Sequence, residues 1–189
     1  MLILASKSPR RKDLLGLYTE NFKIEVSDVA EPEFQSGDVG EYVMSLARLK
    51  AEAVAKNFPK DTVIGADTVV AVGGTVLGKP ESEEHAREML RSMSGSFQQV
   101  YTGICIIRGG EVITDAVETR LIFRELSELD IDEYVATGEC MDKAGAYGIQ
   151  GGAKEFVETL SGDYFNVIGL PMKRLCEILE DIKTTHSEW

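Results

Sequence analysis

Apolar positions along the chain alternate between short unbroken runs and helical stripes. Leu2 to Leu4 is a compact run suited to a buried strand; Ala5-Ser6-Lys7 follows as a loop, and Ser8-Pro9 is a cap and first-turn pair that opens a helix. Phe22, Ile24 and Val26 alternate with polar residues as a half-buried strand does, and Glu31-Pro32 starts a polar loop running to Gly40. From Glu41 to Lys56 the spacing is helical. Tyr42, Leu46, Leu49 and Ala53 make one stripe and Val43, Ala47, Lys50 and Val54 its neighbour, which sets Lys50 beside the apolar face. Thr62 to Val72 is β-branched and nearly continuous in apolar character, the pattern of a central strand covered on both faces, and Asp67 interrupts it.

Gly73-Gly74 turns the chain into a hairpin with Thr75 to Leu77 returning, and Gly78-Lys79-Pro80 breaks the pattern. Ser82 caps a helix with Glu83 and Glu84 in its first turn, Ala86, Met89, Leu90 and Met93 on one face, and Gly95 past its end. Val100 to Ile107 and Glu111 to Phe123 are strands joined through Arg108-Gly109-Gly110. Ser127 caps a helix ending near Gly138. The stretch from Asp142 to Gly152 is too rich in glycine for an ordinary helix and too polar for a core strand, so it reads as a binding loop. Phe156 to Leu160 is a strand, Ser161-Gly162-Asp163 a turn, and Pro171 starts a last helix carrying Met172, Leu175, Leu179 and Ile182. Helices alternating with strands and interrupted by hairpins predict an α/β fold with a mixed sheet.

Length and composition narrow the picture. At 189 residues and 43% hydrophobic, the chain is expected to form one domain over 1–189, two-lobed, with a substantial core. No window approaches the roughly 18 consecutive apolar residues of a membrane span. The N-terminal apolar run precedes its positive charges, the reverse of a secretory signal, so a soluble, cytoplasmic protein is expected. Cys105, Cys140 and Cys176 are widely spaced and lack metal-binding partners, and each reads as a buried, reduced thiol. A net charge of −12 argues against binding a nucleic-acid polymer, which needs a basic face. Yet four of the 20 Lys and Arg residues crowd between Lys7 and Lys12, as though something anionic offsets them.

Three groups of residues carry candidate chemistry. Ser6-Lys7-Ser8-Pro9-Arg10-Arg11 lies at a strand-to-helix junction, where free N–H groups, hydroxyls and Arg forks suit phosphate. Taken alone, the same residues suit a capped, solvated helix start equally well. Asp67, in the most apolar strand, needs a partner, because an unpaired buried carboxylate costs several kcal/mol, on the order of the penalty for any unpaired buried charge. A Mg²⁺ ion shared with an acid such as Glu31 would meet that need, and so would a pairing with Lys50 or Lys79. Lys50 and Lys79 are the third group, point charges of the kind that hold a triphosphate, although solvation is the commoner fate of a lysine. The glycine-rich stretch has neither a Walker nor a dinucleotide fingerprint. His85 and His186, far apart in sequence, are expected to be structural.

The segments Leu4 to Arg11 (L-A-S-x-S-P-R-R), Gly65 to Thr68 (G-A-D-T), Gly78 to Pro80 (G-K-P), Asp142 to Gly151 (D-K-A-G-A-Y-G-I-Q-G) and Gly169 to Pro171 (G-L-P) run in order across nearly the whole chain. Together they resemble the Maf proteins, the septum-formation-inhibitor family of nucleotide pyrophosphatases. The resemblance implies a Maf/inosine-triphosphatase-like fold, a mixed twisted sheet flanked by helices in two lobes around a central cleft, often as a homodimer. It implies cleavage between the α and β phosphates of a nucleoside triphosphate, with Mg²⁺ or Mn²⁺ as cofactor. By similarity Asp67 is the proton acceptor; Arg10, Thr68 and Gln150 match positions tied to substrate choice. Ser6, Arg11, Lys50, Lys79 and Lys143 resemble phosphate or substrate contacts, and Glu31 a helper of Asp67 in metal binding. Within the family, the S-P-R-R, G-A-D-T and A-Y-G-I-Q-G segments resemble the branch acting on dTTP and UTP. The side-chain amide of Gln150 suits that branch, offering donor and acceptor to the O4 and N3–H edge of a pyrimidine. Two rivals follow: a nucleotide-binding regulator of cell division without turnover, and a phosphotransferase, for which the chain lacks a Walker lysine loop or kinase catalytic loop.

Overall fold

The computed structural model describes residues 1–26 and 28–185; His186 lies outside them. Among these residues seven strands form one mixed sheet: β1 (Leu2–Ala5), β2 (Phe22–Ile24), β3 (Thr62–Val72), β4 (Thr75–Leu77), β5 (Phe97–Arg108), β6 (Glu111–Phe123) and β7 (Val157–Ser161). Their spatial order is β2-β1-β3-β5-β6-β7, with β4 added beside β3. β1 pairs parallel to both β2 and β3, while the later pairs are antiparallel, as the two hairpin signals require.

Among the described residues six α-helices accompany the sheet: α1 (Pro9–Gly16), α2 (Val39–Ala55), α3 (Glu83–Met93), α4 (Glu128–Ala136), α5 (Tyr164–Ile168) and α6 (Met172–Thr185). One face of the sheet is covered by α2, whose Ala47, Ala51 and Val54 pack on Ile3, Ala5, Val63, Cys105 and Ile107. The opposite face carries the larger core, where Leu14 and Leu15 of α1, Leu90 of α3, Ile131 of α4 and Leu175 of α6 meet Leu4, Ile64, Ile104 and Phe123. α2 approaches the sheet closely because two of the strand residues beneath it are glycines. A Cβ on Gly65 would lie 2.2 Å from the Ala47 carbonyl oxygen, and one on Gly103 would lie 2.3 Å from that of Val43. Backbone against backbone leaves no room for a side chain, so the two glycines fix the height of α2 above β3 and β5.

Several expectations shift. α2 starts two residues before Glu41, because Asp38 accepts the Glu41 N–H at 2.8 Å and acts as the cap. Its core stripe is Val43, Leu46, Ala47, Ala51 and Val54; Tyr42, Leu49 and Ala53 are only half-buried. β2 is present, yet Ile24 and Val26 are exposed, since β2 is the outermost strand of the sheet. β5 begins at Phe97, ahead of Val100. Phe156 falls in a 3₁₀ turn before β7, and α5, capped by Asp163, has no counterpart in the periodicity. Cys105 and Cys140 are buried as expected, whereas Cys176 is only half-buried. His85 accepts the Glu81 N–H at 3.3 Å, next to the Ser82 cap of α3. Among the described residues no helix is long and apolar enough to cross a membrane.

Candidate functional site

The sheet is opened along one edge of β3, and that opening positions the site. β1 stops at Ala5, opposite Gly65, and β4 joins only from Val70 onward, so Ala66 to Val69 have no strand neighbour on that side. Side chains alternate across a strand, and so successive residues in this gap reach the same opening from opposite faces of the sheet. A cavity of about 1080 Å³ lies there, bounded also by the turn into α1, the loop before α2, the Gly78-Lys79 segment, the glycine-rich stretch after α4 and the end of α5. Its walls include Ser6, Arg10, Arg11, Glu31, Lys50, Asp67, Thr68, Lys79, Lys143 and Gln150, so every candidate residue named from the sequence faces one space.

Asp67 stands opposite Gly103 on the α2 face of the sheet. Lys50, on the segment of α2 between Val43 and Ala51 that rests on Gly103 and Gly65, reaches Asp67 Oδ1 in a short hydrogen-bonded ion pair. The same ammonium lies 3.0 Å from Glu31 Oε1. Side-chain exposure is 16% for Lys50 and 13% for Asp67 but 46% for Glu31, so the first pair is the better shielded from water and Glu31 its solvent-side partner. Tyr42, close to both acids, donates its hydroxyl to the Pro32 carbonyl at 2.9 Å and holds the loop bearing Glu31 against α2. Burial, followed by the charges of Asp67 and Glu31, pushes the Tyr42 phenol above its ordinary pKa.

On the other face, the register sets Thr68 opposite Thr102, and their hydroxyls meet at 2.9 Å. Thr102 donates onward to the Asn166 carbonyl at 2.9 Å. Arg11 gathers this side of the cavity. Its Nη2 donates to Thr68 Oγ1 at 2.9 Å, Nε to the Gly169 carbonyl at 2.7 Å, and Nη1 to Ser6 Oγ at 3.4 Å. Burial pulls the pKa of this guanidinium down, with Asp67 opposing the shift. Ser6 Oγ also accepts the Ser8 N–H at 3.2 Å, which fills both of its acceptor sites and leaves its own hydrogen for a ligand.

Three of the remaining cations have acidic company. Lys143 donates to Asp142 Oδ1 at 2.6 Å and to the Glu139 carbonyl at 2.5 Å, holding the Asp142 carboxyl below its usual range. Arg10 lies 3.9 Å from Asp142, and Lys7 pairs with Asp28 at 2.8 Å. Lys79 and Gln150 are exposed on the wall. Sequence reasoning overlooked Tyr42 and Thr102, which look like ordinary helix and strand residues, and Glu139, which looks like an ordinary turn residue after α4. Asp142 and Gly169 stood inside quoted motifs without a role, and the motifs were the only signal for them.

A mixed-sheet α/β protein with a deep charged cleft at the gap in its central strand is the class that fold and site define. The chain belongs to the Maf-like protein family, whose model matches residues 1–182. A dTTP/UTP pyrophosphatase of Pyrococcus abyssi is 48% identical over 180 residues, 95% of each chain. One from Bacillus cereus is 47% identical over 188 residues, 98% of each, and one from Thermococcus onnurineus is 49% identical over 180 residues, 95% of this chain and 97% of that one. The fold is shared with a HAM1 protein from Coxiella burnetii: the TM-score is 0.53 at 12% identity, covering 95% of this chain and 98% of the other.

Proposed function

We propose that the protein is a cytoplasmic nucleoside triphosphate pyrophosphatase acting on dTTP and UTP, which it cuts to the monophosphate and pyrophosphate. The reading rests on the names of relatives that match almost end to end. The observation that carries it is the meeting of Asp67, Glu31 and Lys50 in a cavity also lined by Lys7, Arg10, Arg11, Lys79 and Lys143. A polyanion is the ligand that such a set of positive side chains suits in a chain of net charge −12.

Asp67 takes a proton from water as the water oxygen attacks the α-phosphorus, and the bond to the α–β bridging oxygen breaks to release pyrophosphate. Ser6 and the lysines hold phosphate oxygens; Arg11 keeps Thr68 and the Gly169 turn in place around them. Gln150, Thr68 and Arg10 select the base. The donor set fits a divalent cation. Two carboxylates already share one positive partner, and Mg²⁺ or Mn²⁺ takes one or two carboxylates and completes its shell with water and phosphate oxygens. Among the described residues no group of three or more acids, His or Cys could hold a metal unaided, so substrate oxygens would complete the shell. When bound, the ion would offset charge on the triphosphate.

The test is a panel of canonical triphosphates with Mg²⁺ or Mn²⁺, quantifying monophosphate and pyrophosphate together. Equimolar products from dTTP and UTP are expected, and Asp67→Asn should lose roughly 10²–10⁴-fold in turnover while keeping the fold, the range expected for removing a general base. Stoichiometric nucleotide binding with no product would instead support the regulator without turnover.

A further inference from the structure

We propose that Lys50 is an internal counter-ion, occupying the place of a divalent cation between Asp67 and Glu31 until the phosphates of the nucleotide draw it away. The inference rests on the reading that these two carboxylates hold the metal. One ammonium touches both of them, being 3.0 Å from Glu31 and closer to Asp67. A Mg²⁺ ion bonds to oxygen at about 2.0–2.1 Å, so ion and ammonium compete for the same oxygens. In a shielded position their mutual repulsion is also only weakly damped.

The side chain is the part able to move. α2 is pressed backbone to backbone on Gly65 and Gly103 and has no room to shift inward, whereas Lys50 ends a flexible four-carbon stem. The other acids on the cavity wall are already engaged: Asp28 by Lys7, Asp142 by Lys143, and Glu139 by the Gly152 N–H at 3.0 Å. The anion left for a displaced Lys50 is therefore the triphosphate. One side chain then masks the acids in the empty protein and holds phosphate in the loaded one. Binding of ion and nucleotide is coupled, and Asp67 is released from its ion pair only when substrate is present.

The experiment titrates Mn²⁺ alone, without nucleotide, into the full-length protein and reads free Mn²⁺ by electron paramagnetic resonance. Lys50→Met should bind Mn²⁺ roughly tenfold or more tightly than the wild type, within the usual range of coupling between sites. Lys79→Met removes the same charge from an exposed wall of the same cavity and should change affinity by less than about threefold, as a screened charge does. No gain in Lys50→Met, or equal gains in the two variants, would overturn the proposal. Lys50→Gln, with its melting curve, guards against a folding artefact and should reproduce the gain. Adding Asp67→Asn or Glu31→Gln to Lys50→Met should abolish it. Retention of the gain in both double variants would instead remove the two carboxylates as the ligands, a separate failure of the underlying reading.

Discussion

Cys105 sits between the sheet and α2 without any exposure, and burial pushes its thiol up to about 12. The thiolate is the reactive form, so the native protein should leave Cys105 unlabelled by iodoacetamide at pH 8, with Cys176, only half-buried, reacting first. Peptide mapping after a timed pulse checks this, and faster labelling of Cys105 would contradict the packing. The raised pKa also has a sign for stability. Below pH 9 both folded and unfolded thiols are protonated; above it the unfolded state ionises first, so this group's contribution falls as pH rises from about 9 toward 12. Single residues were legible in the sequence where they broke a local rule. Asp67 stood out because a carboxylate in an apolar strand needs a partner. Thr102 and Tyr42 broke no rule, since threonine in a strand and tyrosine on a helix face are ordinary, and only a cross-strand register or a folded loop gives them a role.

At the scale of elements, α2 against β3 and β5 is the arrangement on which the site depends most. Gly65→Ala forces a Cβ into the Ala47 carbonyl and Gly103→Ala one into that of Val43. Each should destabilise the protein by about 1–3 kcal/mol or more, the usual range for overpacking, and should impair activity by lifting Lys50 away from Asp67. Denaturant melts read beside turnover test this; unchanged stability would show that α2 rides higher than described. At the start of α4, Ser127 and Asp130 form a capping box, and Arg124 clamps the Asp130 carboxylate at 2.9 Å. Arg124 first, with Ser127, holds the Asp130 pKa well below the ordinary range. Its contribution is therefore present above the unfolded carboxylate's pKa and is lost as pH falls from there through the lowered folded pKa. Asp130→Asn should lower stability at neutral and alkaline pH and flatten the acid side of the stability–pH curve, with the slope of the alkaline side unchanged in melts taken across pH. Helix starts were readable where a Ser cap preceded the helix, at Ser8, Ser82 and Ser127, whereas Asp38, the cap of α2, sat unnoticed in a polar loop. α5 escaped because five residues make too short a stretch to show a period.

Across the whole molecule, Arg11 ties together segments 158 residues apart. It links the first turn of α1, the gap in β3 and the turn after α5, so its loss should loosen the cavity wall as a unit. Arg11→Lys keeps the charge but cannot reproduce a three-way fork, and about 1–3 kcal/mol of stability should go with it, the scale of charge-assisted hydrogen bonds. Thermal melts provide the check, and a non-hydrolysable triphosphate, by binding the native state, should restore part of the loss. An unaltered melting temperature would mean that the clasp is dispensable.

The order of strands and helices, the mixed character of the sheet and nearly every residue of the cleft were determined by the sequence itself. Period, caps, turn residues and a misplaced charge are local properties, expressed within a few residues of chain. What only the tertiary structure decided is who meets whom: that Lys50 rather than Lys79 pairs with Asp67, that Glu31 joins them, and that Arg11 is taken up largely by its own protein. Those choices hang on the height of a helix over two glycines and on a strand that stops at Ala5, distances set by packing between segments remote in the chain.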